Sequence, residues 1–178
     1  MNISDVYPML LTSSNIYKTI NIGHNSQVIR SAVGYEKTRI WGRPLEWFFL
    51  GGKVESGERV EQAARRELRE EASIEAGELS LTGRLDFEFE TGPEILRVYL
   101  FRGEDFTGQP KPSEEMSLAW FFIDEIPFAD MWPDDIHWSP LFLSKRKFTG
   151  RFLFDPEENI LEKELYSVEE IGINNLEV

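Results

Sequence analysis

Between Leu79 and Glu90 apolar and polar residues alternate. Leu81, Leu85, Phe87 and Phe89 fall on or near one face, with Arg84, Asp86, Glu88 and Glu90 opposite. A period of two marks a strand with one buried face. Thr91-Gly92-Pro93 then turns the chain, and Ile95–Arg102 returns as the second strand of a hairpin. Further strands are expected at Met9–Leu11, Val28–Tyr35, the aromatic run Leu45–Leu50 and Leu118–Ile123. A last hairpin pairs Phe148–Phe154 with Ile160–Tyr166 around Asp155-Pro156-Glu157-Glu158-Asn159. Thr12–Asn15, Gly23–Ser26, Trp41–Pro44 and the polar stretch Gly103–Glu115 read as turns and loops.

The period changes to 3.6 after two turn signals, Gly51-Gly52 and Ser56-Gly57. From about Arg59 to Ala72 no Gly or Pro interrupts residues that favour helix, and Glu58 stands where the positive end of a helix dipole favours an acid. Val60, Ala64 and Leu68 recur at i, i+4 and i+8 as an apolar seam. The same period sets Glu67 and Glu71 almost in line with that seam, and Glu70 on its flank. Glu67, Glu70 and Glu71 are therefore expected to look towards the protein body. A like-charged i,i+4 pair costs a few tenths of a kcal/mol when exposed and more when desolvated. A divalent cation removes that cost, and clustered carboxylate oxygens suit Mg²⁺ bound together with substrate phosphates. The alternative is a solvated surface helix laced by Glu61–Arg65 and Arg66–Glu70 pairs.

A second helix is expected from Ile136 to Lys147, capped by Asp134-Asp135 and closed by basic residues as the dipole favours. Strands in the majority with two helices give an α+β class. No repeat, low-complexity run or linker divides the chain, so residues 1–178 are expected to form one domain.

Composition narrows the chemistry. The chain has 178 residues, 41% hydrophobic and 13% aromatic, enough for a core. A formal charge of −13 disfavours gripping a nucleic-acid backbone. A polyanionic small molecule remains possible if a metal ion stands between carboxylates and phosphates. The absence of Cys excludes disulfides and thiolate catalysis, and two histidines, His24 and His137, make a His-ligated zinc site improbable. Neither a signal peptide nor a membrane-length apolar run is present, and a cytoplasmic monomer without membrane association is expected.

Met131-Trp132-Pro133-Asp134-Asp135-Ile136-His137-Trp138 is the other unusual stretch. As plain structure it is a proline turn, an acidic helix start and core tryptophans. As a site it offers an indole face for stacking and two adjacent carboxyls for a purine edge. Two close acids in an apolar pocket cannot both ionise cheaply, so one would be protonated and able to donate as well as accept.

Gly52, Glu58, Arg66-Glu67-Leu68, Glu70-Glu71 and Ile74 resemble the Nudix box, G-x5-E-x7-R-E-U-x-E-E-x-G-U with U aliphatic. Ser73 stands where the motif has Gly, at a helix exit that commonly takes a left-handed turn. From Trp47 to Asp155 the chain is similar to the mammalian-type MutT homologues within the Nudix family, the oxidised purine nucleoside triphosphate hydrolases. Residues 1–40 match poorly. The resemblance implies an α/β/α sandwich around a mixed sheet. It also implies hydrolysis of a small nucleotide, such as 8-oxo-dGTP or 2-hydroxy-dATP, to monophosphate and pyrophosphate with Mg²⁺ or Mn²⁺.

By the same resemblance Glu67, Glu70, Glu71, Glu115 and the Gly51 carbonyl hold the metal, and Arg66 orients a glutamate. Trp132 stacks on the base while Asp134 and Asp135 bond to it. Glu115 taken alone is one acid of a loop. Lys53 is a candidate phosphate contact or a surface lysine, and Phe87 a pocket wall or plain core. Phe48 occupies the place of an Asn that contacts the base in those homologues, which leaves the base preference open. Two alternatives stand beside this reading: a Nudix pyrophosphatase for another nucleoside diphosphate-linked substrate, and a Nudix-fold binding module without catalysis.

Overall fold

The computed structural model describes residues 27–35, 46–103, 105–109, 126 and 128–173. Its strands are β1 (Gln27–Tyr35), β2 (Glu46–Lys53), β3 (Ile74–Ala76), β4 (Leu79–Phe89), β5 (Gly92–Gly103), β6 (Phe106–Gly108), β7 (Phe148–Phe154) and β8 (Ile160–Ser167). Its helices are α1 (Val60–Ala72) and α2 (Asp135–Leu143), with a short 3₁₀ turn at Phe128–Asp130. Six strands form one sheet in the order β2-β1-β5-β4-β7-β8. Three antiparallel pairs, β1–β2, β4–β5 and β7–β8, are joined by two parallel contacts, β1–β5 and β4–β7. Parallel neighbours need a crossover connection. The two helices lie within those connections.

The central strand β5 is buried on both faces and shows where each helix sits. Leu96, Val98 and Leu100 join Trp138 and Phe142 of α2, together with Phe148, Phe152 and Phe154, in the larger core cluster. Tyr99 and Phe101 point the other way, into a cluster with Val60, Ala63 and Ala64 of α1. The helices thus cover opposite faces of a mixed sheet, which is the α/β/α sandwich expected within the α+β class.

The alternation in β4 breaks once. Leu79 and Leu81 pack on the α1 face, whereas Leu85, Phe87 and Phe89 belong to the α2 face. A register shift between Leu81 and Gly83 inserts Thr82 as an extra residue, and one added residue turns every later side chain over. Leu81 is therefore not on the Phe87 face, contrary to the uniform alternation. Gly83 then lets Phe148 close in, because a Cβ there would lie 2.5 Å from the Phe148 ring. Asp86 and Glu88 do lie opposite Phe87, where they take bidentate bonds from Arg97 (2.7 and 2.8 Å) and Arg151 (2.7 and 2.8 Å).

Part of the stretch expected to be loop, Phe106–Gly108, instead pairs with β3 in a two-stranded sheet. Three-residue strands carry no readable periodicity. The β7–β8 hairpin follows its expected bounds within a residue. Met9–Leu11, Leu118–Ile123, the turns at 12–15 and 23–26 and the loop at 41–44 lie outside the described residues.

Helix α1 keeps its expected bounds to within a residue, whereas α2 ends early. The α1 start at Arg59 is held by Gln62, whose Oε1 accepts from the Arg59 backbone N–H (2.9 Å). Helix α2 stops at Leu143, four residues short of Lys147. Its last carbonyls are met by the Ser144 hydroxyl (2.8 Å to Pro140 O) and by Arg102 Nη1 (3.3 Å to Phe142 O). A buried arginine from β5 supplies the cation there, and Lys145, Arg146 and Lys147 lie beyond the last turn.

Ser73 ends α1 with φ 58° and ψ 34°, in the left-handed region. A non-glycine residue there costs about 1–2 kcal/mol, part of which glycine recovers despite its entropy in the unfolded chain. Ser73→Gly is expected to stabilise the protein by about 0.5–1 kcal/mol. A raised urea midpoint at unchanged m-value checks it.

Candidate active site

Strand β2 runs past its expected end at Leu50, through Gly51 and Gly52 to Lys53. Gly51 pairs with Arg30 and Phe48 with Val33 across β1. The loop that follows is closed by Glu58. Its backbone N–H donates to Glu55 O (3.0 Å), and its Oε2 accepts from the Glu55 N–H (3.1 Å).

Arg66 organises this junction. Nε and Nη2 donate to the two oxygens of Glu58 (both 3.0 Å), and Nη2 also reaches the Lys53 carbonyl (2.9 Å). Nη1 donates to Glu67 Oε1 (2.6 Å) and Glu70 Oε2 (3.1 Å). One planar guanidinium thereby ties β2, the loop and α1 together, a task its fork of donors suits. Hydrogen bonding from Arg66 holds the Glu58 carboxyl below its ordinary range. The side chain of Lys53 is exposed.

The three box glutamates do not share one environment. Glu67 is 9% exposed, Glu71 is half-buried, and the Glu70 side chain is 59% exposed. The expectation that all three look inward holds for Glu67 and in part for Glu71. Glu70 turns out, because it lies about 120° from the centre of the Val60–Ala64–Leu68 seam, against about 60° for Glu67 and about 20° for Glu71, and its carboxylate is drawn to Arg66 at i,i+4.

The Glu67 carboxyl sits where a Cβ on Gly52 would be, 2.0 Å from Oε1, so any other residue there would displace it. Burial pushes its pKa up, and the Arg66 contacts work against that shift. Among the described residues no three His, Cys, Asp or Glu side chains converge as a ready metal cluster. The hard oxygen donors and the glycine cradle nevertheless fit a divalent cation, whose charge would offset the burial of Glu67. Glu115 lies outside the described residues.

The second set of candidates gathers on the α2 face. Trp132 meets Phe154 edge-on, ring centroids 5.7 Å apart. Phe87 stacks on Phe152 at 5.7 Å and tilts against Phe154 at 6.0 Å, fully within the core cluster. Asp134 and Asp135 open α2 at 1% and 4% exposure. The Asp134 side chain makes no helix cap of the kind expected; its Oδ2 accepts from Trp138 Nε1 (2.9 Å). Trp138 was legible only as core, although a donor four residues after an acid on one helix is a pairing signal. His137 stacks on Phe152 at 6.4 Å, with Nδ1 3.1 Å from Lys163 Nζ, and burial followed by the Lys163 charge lowers its pKa.

These features define a class: an α/β/α domain with a buried carboxylate at a glycine-loop–helix junction, and aromatic and acidic side chains gathered on the opposite face. The chain belongs to the Nudix family, whose NUDIX domain model matches residues 28–142. It is 45% identical over 125 residues to the oxidized purine nucleoside triphosphate hydrolase of Mus musculus, spanning 70% of this chain and 78% of that protein. The Danio rerio protein of the same name is 45% identical over 126 residues, 71% and 81% of the two chains. The crystal structure of the MutT protein from Bacillus halodurans superposes with TM-score 0.66 at 25% identity, covering 79% of this chain and 97% of that one. Family membership makes the chain a hydrolase of small nucleotide substrates that uses a divalent metal ion. Among the described residues no helix is long and apolar enough to cross a membrane.

Glu67 gives a testable sign. Burial raises its folded pKa above the ordinary glutamate value, so the folded state holds its proton to higher pH than the unfolded state. Stability therefore falls as pH rises through that interval. Glu67→Gln keeps an acceptor for Arg66 but carries no charge. In metal-free buffer its unfolding free energy is expected to exceed the wild-type value at pH 8, with the gain vanishing below about pH 4. Denaturant unfolding at both pH values checks it.

Proposed function

We propose that this chain, as a single domain, hydrolyses oxidised purine nucleoside triphosphates, such as 8-oxo-dGTP or 2-hydroxy-dATP, to monophosphate and pyrophosphate. It would thereby clear damaged nucleotides from the pool, acting as a cytoplasmic monomer. The observation that carries this reading is the pair of buried carboxyls, Asp134 and Asp135, beside Trp132, in a chain 45% identical to two proteins named for that substrate class.

Glu67, Glu70, Glu71 and Glu115, with the Gly51 carbonyl, would hold Mg²⁺, or Mn²⁺ in its place. The bound ion supplies charge neutralisation at the phosphates and a more acidic water. Arg66 keeps Glu67 and Glu70 placed while its bond to Glu58 anchors it to the loop. Lys53, exposed at the end of β2, would contact a phosphate. Trp132 stacks on the base, Asp134 and Asp135 bond its edge, and Phe87 backs the aromatic wall through Phe152 and Phe154. All the box glutamates are present, which favours an enzyme over a binding module. Phe48 favours a second reading: without a hydrogen-bonding group at that position of β2, another nucleoside diphosphate-linked compound would be the better substrate.

The test measures pyrophosphate release, with and without Mg²⁺, from 8-oxo-dGTP, 2-hydroxy-dATP and dGTP, and hydrolysis of ADP-ribose. An oxidised purine is expected to lead, only in the presence of Mg²⁺. Glu71→Gln is expected to lower turnover by about 100-fold or more with an unchanged far-UV circular dichroism spectrum. Efficient ADP-ribose hydrolysis with inert 8-oxo-dGTP would transfer the chain to the second reading.

A further inference from the structure

A cavity of about 550 Å³, a size that suits a small molecule, opens where β4 begins and β5 ends. Phe87 and Phe154 lie at the other ends of β4 and β7. Glu78 and Thr82 line it from the start of β4, Arg102 and Asp105 from the end of β5 and just beyond, and Lys145 and Lys147 from the segment between α2 and β7. None of the residues assigned above to metal, phosphate or base lines it. Thr82 is the extra residue of the β4 bulge, and bulges re-aim side chains next to binding sites.

The lining differs in charge from the chain as a whole. Three of its eight residues are cations and two are acids, in a protein of net charge −13. Arg102 is buried, at 4% exposure. Its Nη1 donates to the Phe142 carbonyl (3.3 Å), and its guanidinium stands 6.0 Å from the centre of the Phe142 ring. Those contacts fix its place, and an anion in the cavity would add to them. Lys145 and Lys147 are exposed, yet their backbone is tied down. The Lys145 N–H donates to Phe142 O (3.1 Å), and Lys147 O accepts from the Val168 N–H (2.9 Å). Asp105 is fixed in the same way. Its Oδ1 accepts from the Glu78 N–H (3.3 Å) and its carbonyl from the Gly77 N–H (3.0 Å). Charged groups of both signs are thus presented from a backbone that is already ordered, which lowers the cost of binding.

We propose that this cavity binds a small phosphate monoester that also carries hydroxyl groups. Arg102, Lys145 and Lys147 take the phosphate, and the Asp105 and Glu78 carboxylates accept from the hydroxyls. Acids on one side repel a plain polyanion, so the mixed lining selects a ligand that is anionic at one end and rich in donors at the other. The site is separate from the box glutamates, and the proposal stands or falls apart from what they cleave.

The experiment is a two-dimensional amide NMR titration in EDTA at constant ionic strength, with inorganic phosphate, ribose 5-phosphate and ribose as probes. EDTA keeps a metal ion from carrying phosphate to the box glutamates. Ribose 5-phosphate is expected to shift the amides of Thr82, Arg102, Asp105, Lys145 and Lys147 saturably, to leave Gly51–Glu58 in place, and to bind more tightly than either other probe. Lys145→Gln combined with Lys147→Gln changes two exposed side chains and is expected to weaken it about fivefold or more. Asp105→Asn is expected to shrink the advantage of ribose 5-phosphate over inorganic phosphate. Shifts that never saturate, that fall only on Gly51–Glu58, or that persist unchanged in the double lysine variant overturn the proposal. Equal affinity for inorganic phosphate and ribose 5-phosphate overturns it too, because the two acids would then select nothing.

Discussion

The structure turns on a carboxylate kept out of water. Glu67 occupies the volume that a side chain on Gly52 would need, and burial pushes its pKa up. Arg66 answers with a bond to it, while bonds to Glu58 and Lys53 hold the guanidinium in place. Removing Arg66 from such a set would leave the buried Glu67 carboxylate without its counter-charge, which is why that glutamate depends on it. A glycine, an arginine and two glutamates, spread over 16 positions of sequence, thus behave as one unit.

That unit explains why the fold needs a long β2. The strand carries its glycines past the end of the apolar run so that its backbone, not a side chain, meets α1. Helix α1 then seats on the face of Tyr99 and Phe101 through Val60, Ala63 and Ala64, small enough for the helix to approach the sheet closely. The opposite face carries larger side chains, and Gly83 gives Phe148 room to enter. The bulge at Thr82 allows one strand to serve both faces.

Charge follows the same logic on the scale of the whole chain. With a net charge of −13 the protein repels anions at long range. Arg66, Arg97 and Arg151 are each engaged by carboxylates, and Arg102 serves the end of α2. A polyphosphate approaching such a surface requires a counter-charge. Acids that look costly on a bare helix become an asset once a hard cation sits among them.

Local rules made much of this legible. The 3.6 period located α1 and its seam, the period of two located β4, and turn residues located the hairpins, because those features depend on neighbours a few residues apart. The spacing of charges from Gly52 to Ile74 carried the family for the same reason: a helix converts fixed offsets into a fixed geometry. What lay beyond the sequence depends on partners far along the chain. The burial of Glu67 rather than Glu70 is decided by Gly52 and by how Arg66 shares its donors. The side of Leu81 is decided by one extra residue in the pairing with β5, and the end of α2 by Arg102, which arrives from β5. Sequence periodicity specifies which face of an element is apolar; only packing decides what that face meets, and so which polar group is left to do chemistry.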